Sequence, residues 1–497
     1  MNRVLYREWF PQIMYNHHQT GPRGAVIFVP PFRDPFNYNF DPLIPLQIQM
    51  VGTAMHSRFV QEGKPGSGMR GVASYSTWYN GGLRTTTYFH NMIGILTEII
   101  GSPTPAEVPL IPERQLPTSD LVAPIAPQKW HYRRSIDYSM TANRAVLDYA
   151  SRYRETILFN IYRMGQNSIE RGNRDSWTVT PKKIEALRAA AAKMQSANRP
   201  GMRPPAAGAE TPSDSPSAAA VPAIPAALYE QVLHSPESRD PRGFIISADQ
   251  PDFPTAIAFA NTLIKNGVAV HRARQSFQVA GKSYPTGSLV VKSAQAFRPH
   301  VIDMFEPQDH PNDFRFPGGP PIQPYDTTGW TLAYQMGIQF DRVLEGFDGP
   351  FEKVQDLLTA PPQSITGPES PSGYLISHRI NRSFTLVNRL LKENSEVYWL
   401  KSAITADGQA FEPGAVWIPH TAKVRQVLTA GAKELGVPVL GSTKAPESAA
   451  LRLRPVRIGL VDQYGGSMPS GWTRLIFEQF EFPFEVVYPP TLDNGEL

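Results

Sequence analysis

Two neighbouring histidines, His17 and His18, end the apolar run "PQIMYNHH" just before a glycine turn at Gly21. A catalytic zinc ion takes three protein ligands from His, Asp and Glu and keeps a fourth position for water. His18 suits that role because it ends a predicted strand, where a side chain is held rigidly beside a turn. His17 points to the opposite face of that strand, so one metal does not easily take both rings. The alternative is that the two histidines are structural or lie on the surface, which is more common for such pairs.

Glu98 lies in the segment "GILTEII", whose other residues are mostly apolar and predict a strand. A carboxylate in such a strand is costly unless it is paired, hydrogen-bonded or close to a metal. A glutamate at the strand end that faces solvent is the alternative. The aromatic and glycine-rich segment "STWYNGGLRTTTYFHN" lies between His18 and Glu98. It predicts either a mobile loop that contacts substrate or a structural turn.

Two further polar groups are weaker candidates for metal ligands. His234 and Glu237 form a His-x-x-Glu pair in "HSPE", but the pair contains a proline and borders a Pro/Ala/Ser-rich stretch. His310 and Asp313 in "DHPND" are better explained as groups that cap a loop. His90 is a further histidine to consider if the chain holds zinc.

The composition excludes several classes of protein. With 497 residues the chain is long enough for two to four domains, and 49 prolines indicate many ordered loops. The absence of cysteine excludes disulfides, thiolate metal sites and a cysteine nucleophile. A net charge of +4 without a Lys/Arg block gives no sign of a nucleic-acid partner. No apolar stretch predicts a membrane span, and no signal peptide is present.

The first half of the chain divides into three predicted regions. Residues 1–105 predict a mixed α/β unit with strands at "PQIMYNH", "AVIFVP", "GVASYSTW" and "MIGILTEI" and a helix over 46–62. Residues 106–195 predict a helical connecting region, with one long helix or two over 136–169. Residues 196–227 are rich in Pro, Ala and Ser and predict a flexible linker.

The second half contains a weak internal repeat. Residues 236–345 and 346–450 each predict strand, helix, strand, then a proline-glycine turn into another strand. This order predicts two α/β layers with parallel strands and right-handed crossovers. Residues 451–497 predict one more strand–helix–strand unit, which is too small to form a sheet alone.

Dense motifs in residues 1–105 resemble the C-terminal part of a zinc carboxypeptidase domain of the funnelin type, in a large bacterial branch. The motifs are "REWFPQIMYNHHQTG", "FVPPFRDPFNYNFDPLIP", "EGKPG" and "FHNMIGILTEI". The resemblance implies His18 as a zinc ligand, Glu98 as the general base and Tyr79 as a flexible tyrosine that closes over a peptide substrate. Arg84 is then a clamp for a substrate carboxylate, and a strand-end salt bridge is the alternative for it.

The same branch carries a C-terminal extension that starts like an amidotransferase or flavodoxin-like sheet, and "RIGLVDQYGGSMPSGWTR" resembles that start. The predicted fold is therefore the C-terminal part of a zinc-carboxypeptidase α/β domain, then α/β repeat layers and an incomplete flavodoxin-like unit. Amidotransferase chemistry needs a cysteine, so this last unit is predicted to bind or pack. Relatives of this branch are extracytoplasmic, which implies a periplasmic or secreted protein.

The sequence departs from the family pattern in one respect. The His-x-x-Glu ligand pair and the Asn-Arg pair that binds a carboxylate precede the His18 strand in the family and are absent here. We therefore expect a chain that lacks its N-terminal part, with its signal peptide, and holds no tight zinc. Two alternatives stay open: a non-catalytic protein that binds peptide or glycan, and a zinc amidohydrolase that acts on acyl-amino acids.

Overall fold

The computed structural model describes residues 1–197, 224–325 and 331–495. These residues form helices and strands arranged in open sheets, which confirms the general α/β class. The linker predicted for residues 196–227 falls largely on 198–223, which lie outside the described residues. Short 3-10 or π-helical turns occur at Val4–Trp9, Arg70–Val72, Pro112–Arg114, Tyr229–Leu233 and Pro236–Ser238.

The first sheet has four strands in the order β1-β4-β2-β3. The strands are β1 (Ile13–His18), β2 (Ile27–Phe28), β3 (Ser67–Gly68) and β4 (Ile93–Ile99). Strand β4 runs parallel to β1 and antiparallel to β2, and all of its residues are buried. Burial on both faces explains why its sequence is an almost continuous apolar run.

Helices cover this sheet and extend beyond it. They are α1 (Leu43–Gln61), α2 (Thr85–Tyr88), α3 (Tyr132–Arg152), α4 (Arg154–Gly172) and α5 (Pro181–Ala197). A small hairpin, β5 (Ala106–Val108) with β6 (Gln128–Trp130), precedes α3. Helix α3 packs on α1, with the rings of Phe59 and Tyr138 stacked 5.4 Å apart. The hydrophobic core of the sheet therefore continues into α3 and α4, as far as Met164.

The predicted strand at "GVASYSTW" is wrong. Apart from the 3-10 turn at its start, this segment has no regular structure. The backbone of this segment does not pair with any strand of the described residues. Of the two alternatives predicted over 136–169, one long helix or two, the structure has two, because the helix is interrupted at Tyr153 between α3 and α4.

A five-stranded sheet follows, in the order β12-β7-β11-β8-β13. Its elements, with a side hairpin, are β7 (Gly243–Ile246), α6 (Phe253–Lys265), β8 (His271–Ala273), β9 (Phe277–Val279), β10 (Lys282–Tyr284), β11 (Leu289–Lys292), α7 (Arg298–Phe305), α8 (Leu332–Gln335), β12 (Asp341–Val343) and β13 (Phe351–Lys353). Asp252 caps α6 by accepting a hydrogen bond from the Thr255 N–H group.

A six-stranded sheet comes next, in the order β14-β20-β15-β19-β16-β21. Its elements, with a side hairpin, are β14 (Ile365–Thr366), β15 (Gly373–Ile376), α9 (Arg382–Lys392), β16 (Tyr398–Leu400), β17 (Ile404–Ala406), β18 (Gln409–Phe411), β19 (Val416–Pro419), α10 (Ala422–Leu435), β20 (Val439–Ser442) and β21 (Ala450–Arg452). Thr421 caps the start of α10, and Gly436 ends it in the left-handed conformation.

The two sheets share one internal topology, as the repeat predicted. In each, a strand–helix–strand unit is followed by a side hairpin and a strand that inserts between the first two: β7-β11-β8 and β15-β19-β16. The prediction of parallel pairing is wrong, however, because the inserted strand runs antiparallel to both of its neighbours. The proline-glycine turn brings this strand back into the sheet, where it separates the two strands of the crossover.

The last unit consists of β22 (Gly459–Val461), α11 (Met468–Gln479), β23 (Glu485–Val487) and α12 (Pro489–Asp493). Strands β22 and β23 pair in parallel, as the strand–helix–strand prediction requires. The unit docks on α9, where Arg389 holds Glu434 of α10 at 2.7 Å and Glu481 at 2.8 Å. None of the helices in the described ranges has the length and apolar composition that crossing a membrane requires.

A buried histidine pair lies where α2 meets α7. The rings of His90 and His300 are 4.7 Å apart, and both residues are almost wholly inaccessible. The nitrogens of His90 face the carbonyl oxygens of Thr86 and Asn266, at 2.7 and 2.8 Å. Neither ring nitrogen of His300 has a hydrogen-bond partner. Burial lowers the pKa of His90 to about 4, and burial with the neighbouring His90 lowers the pKa of His300 well below its usual value.

We expect replacement of His300 by Phe to reduce the sensitivity of the fold to acid. Below pH about 6.5 the unfolded chain binds a proton at this position that the folded chain excludes, so stability falls as pH falls. H300F should remove about 2 kcal/mol of the loss of unfolding free energy between pH 6.5 and 5. Urea unfolding at both pH values measures this, with exposed His131→Gln as the control. An unchanged pH dependence in H300F would contradict the prediction.

Candidate functional site

The centre of the candidate site is formed by the ends of two adjacent strands. In the parallel pairing of β1 with β4, His18 lies directly opposite Glu98. The Nδ1 atom of His18 is 3.8 Å from Oε1 of Glu98, too long for a hydrogen bond. The two side chains therefore lie close together at the ends of neighbouring strands.

Glu98 is held in a defined position. Its side chain is 7% exposed, whereas that of His18 is 50% exposed. The Thr20 backbone N–H, in the turn after β1, donates a hydrogen bond of 2.8 Å to Oε2 of Glu98. The alternative of a solvent-facing glutamate is therefore wrong. One carboxylate oxygen is anchored, and the other faces His18.

Asn16 orients the imidazole of His18 from the same face of β1. Its Nδ2 group lies 3.0 Å from Nε2 of His18. The side-chain oxygen of Asn16 is buried and has no hydrogen-bond partner.

The His17 side chain lies on the opposite face of β1, as strand alternation predicts. Its Nδ1 atom lies 3.1 Å from the hydroxyl of Thr97, and its Nε2 atom lies 2.8 Å from Oδ1 of Asn143 on α3. The hydroxyl of Tyr15 continues this chain to Thr97 at 3.2 Å. His17 therefore has a structural role that links the sheet to α3.

Arg84 is buried at the start of α2 and does not form a strand-end salt bridge with any described residue. Its guanidinium group lies 4.2 Å from the ring centre of Phe32 and donates a hydrogen bond of 3.2 Å to the Tyr88 hydroxyl. A side chain at Gly94 would clash with the Arg84 carbonyl oxygen, so glycine at this position lets α2 approach β4 closely. The strand-end salt bridge is therefore absent from the described residues, and the role of Arg84 as a clamp for a substrate carboxylate stays a prediction.

Tyr75, rather than Tyr79, is the tyrosine beside Glu98. The pKa of Tyr75 is raised first by burial and then by the negative charge of Glu98. The Tyr79 ring folds back over its own loop, so that its hydroxyl lies against Gly81. No described contact joins Tyr79 to Glu98. The sequence signal for Tyr75 was weak, because it lies in a segment predicted to be a strand.

The loop that carries these tyrosines is anchored by a buried carboxylate of α7. Asp303 accepts hydrogen bonds from the amide groups of Asn37, Asn39, Asn80 and Gln308, at 2.7 to 2.9 Å. Burial raises the pKa of Asp303 to about 7, although all four amides oppose that shift. The asparagines come from the first sheet region and Asp303 from the five-stranded one, so the cluster locks the two together.

The weaker candidates have structural contacts. His310 packs against Trp78 with ring centres 4.7 Å apart, and Asp313 pairs with Arg33 at 3.1 Å. These contacts agree with their interpretation as groups that fix a loop. His234 pairs with Glu230 at 3.0 Å and stacks on Trp177. Glu237 lies in the 3-10 turn that follows it.

The residues present do not fit a zinc ion. Within residues 1–197, 224–325 and 331–495, no group of three or more His, Asp or Glu side chains is arranged to hold a metal. His18 offers one imidazole, and Glu98 is bonded to the Thr20 N–H group. A catalytic zinc normally has three protein ligands, so two are missing from the described residues.

No family model, curated protein or solved structure matches this chain.

Proposed function

We propose that this chain is a member of the funnelin-type zinc carboxypeptidase family whose described residues carry part of the catalytic site: the general base Glu98 and one metal ligand, His18. The observation that carries the proposal is the in-register pairing of His18 with Glu98 at the ends of β1 and β4. A peptide substrate and an extracytoplasmic location belong to the same proposal. Under this proposal, the described residues alone do not hydrolyse peptide bonds.

The geometry suits Glu98 for proton transfer. Its Oε2 atom is fixed by the Thr20 N–H group, which holds Oε1 toward His18. Its Oε1 atom faces the half-exposed His18, where a water molecule or a substrate group can reach it. A positioned carboxylate of this kind accepts a proton from a nucleophile and returns it to a leaving group. Tyr75 lies beside it as a second polar group.

We expect the purified chain to retain less than one equivalent of zinc after dialysis and to release no amino acid from a panel of C-terminal dipeptides. A lone imidazole competes poorly with water for the metal, because the described residues do not supply the two further ligands that a catalytic zinc site normally has. Metal analysis and the peptide assay, each with and without a chelator, measure this. A His18→Ala variant should hold the same small amount of zinc as the parent chain.

Stoichiometric zinc together with turnover that a chelator abolishes would contradict the prediction. In that case Glu98→Gln becomes the next variant, because loss of the general base should reduce turnover by a factor of about 100 or more. Binding of zinc without turnover would favour a structural metal and count against the proposed role of Glu98.

A non-catalytic binding protein is the second candidate, and the incomplete ligand set favours it. Peptides, glycans and N-acyl-amino acids, each titrated into the full chain, separate the candidates. Binding of peptides that Glu98→Gln alters supports the carboxypeptidase-like cleft. Glycan binding that ignores Glu98 supports the binding protein, and hydrolysis of N-acyl-amino acids supports the amidohydrolase alternative.

A further inference from the structure

A large cavity lies between the six-stranded sheet and the last unit of the chain. Its volume is about 810 Å³, within the range of roughly 300–1,000 Å³ typical of small-molecule sites. Helix α9 forms one wall, and the Phe477–Phe484 segment forms the other. Most of its lining is apolar and aromatic, including Phe384, Val387, Leu391, Trp399, Phe477 and Phe484.

One end of the cavity carries polar atoms that no group of the described residues satisfies. Ser383, in the first turn of α9, is 1% exposed, and its hydroxyl has no hydrogen-bond partner. The Nδ1 atom of His378, in the loop before α9, is also buried without a partner. Both residues line the cavity. Buried polar groups of this kind are uncommon, and a bound ligand is one way to satisfy them.

The charges around the cavity favour an anion. The positive charge of the lining comes from side chains, because the N-terminus of α9 is already occupied: the Asn381 N–H group donates a hydrogen bond of 3.0 Å to Oδ2 of Asp252. Lys392 and Arg454 lie on the rim and form no salt bridge with a described carboxylate. Glu478 and Glu481 are the acidic groups of the lining, and Arg389 neutralises Glu481.

We propose that this cavity binds an amphipathic carboxylate, with its apolar body between α9 and the Phe477–Phe484 segment and its carboxylate at Ser383 and His378. The Ser383 hydroxyl donates a hydrogen bond to the carboxylate, and Lys392 and Arg454 on the rim supply the positive potential that favours its charge. The site is separate from the His18–Glu98 cleft and does not depend on a peptidase function.

Three probes with one alkyl chain and different head groups test the proposal by calorimetric titration of the full chain. Dodecanoate should bind with one equivalent below its micelle concentration. Dodecanol should bind about tenfold more weakly, because it lacks the charge that makes the hydrogen bonds strong. Dodecyltrimethylammonium should not bind measurably.

Variants locate the binding. Leu391→Trp fills the cavity and should weaken dodecanoate binding at least about tenfold. The control Leu147→Trp, at an exposed position of α3, should leave the binding unchanged. Ser383→Ala should weaken binding about tenfold. Because the Ser383 hydroxyl has no protein partner, S383A should keep the thermal stability of the parent chain, so the loss of affinity is not a loss of fold.

Several results would overturn the proposal. Absence of saturable dodecanoate binding would do so, as would equal binding of the alkylammonium probe. Dodecanoate binding that L391W leaves intact would place the ligand elsewhere on the apolar surface. Equal affinity in S383A would remove the assigned head-group position, and with it the proposal.

Discussion

Replacing Asp303 by Ala should lower the free energy of unfolding by about 3–5 kcal/mol, because four amide groups, those of Asn37 and Asn80 buried, lose their shared acceptor. Asn37, Asn39, Asn80 and Gln308 all donate to this carboxylate, and Asp303 is fully buried. The loss is expected in both protonation states, since a neutral carboxyl group still offers acceptor oxygens. Chemical denaturation of the parent and variant chains measures it.

Two matched variants show where that loss originates. Asp303→Asn keeps the shape but turns one acceptor into a donor that faces other donors, so most of the loss should remain. Asp356→Ala removes an exposed carboxylate and should change stability by less than about 0.5 kcal/mol. A loss below about 1 kcal/mol in D303A would mean that the cluster does not lock the two regions together.

The sequence predicted those parts of the site that depend on local pattern. Strand alternation separated His17 from His18, and the apolar run around Glu98 placed it in a buried strand. Their direct pairing followed from the family motifs, since alternation alone does not tell which strands are neighbours. The register of β1 with β4 then confirmed the pair.

The rest could not be predicted because it depends on contacts between distant segments. Asp303 is 223 residues from its partner Asn80, and nothing in its helix marks it as an anchor. Tyr75 reaches Glu98 because the loop around it is held by that anchor and by the close approach of α2 to β4. The position of β11 between β7 and β8 likewise depends on strand pairing, which hydrophobic periodicity does not specify.

A buried ion pair should produce an effect of similar size at the start of the same helix, α7. Arg298 of α7 donates a hydrogen bond of 2.8 Å to Asp240, and Arg298 is 1% exposed. Burial lowers the pKa of Arg298. Burial also opposes ionisation of Asp240, but Arg298 and the Thr178 N–H group hold the pKa of Asp240 below its usual value. Each partner therefore keeps the other charged inside the protein.

Removing both charges should cost less than the sum of the two single removals. We expect Arg298→Met to lower the free energy of unfolding by about 3–5 kcal/mol, because Asp240 stays buried with Arg171, 3.5 Å away, as its remaining cation. Asp240→Asn should cost a similar amount by leaving the guanidinium group unpaired. The double variant D240N/R298M should recover at least about 2 kcal/mol of the summed losses, since the amide oxygen introduced by D240N still accepts the Thr178 N–H and no buried charge is left over.

Urea denaturation of the four chains at pH 7 gives the coupling energy directly. Additive losses would show that Arg298 and Asp240 act independently, and that α7 is held against the Ser176–Thr178 segment by packing rather than by charge.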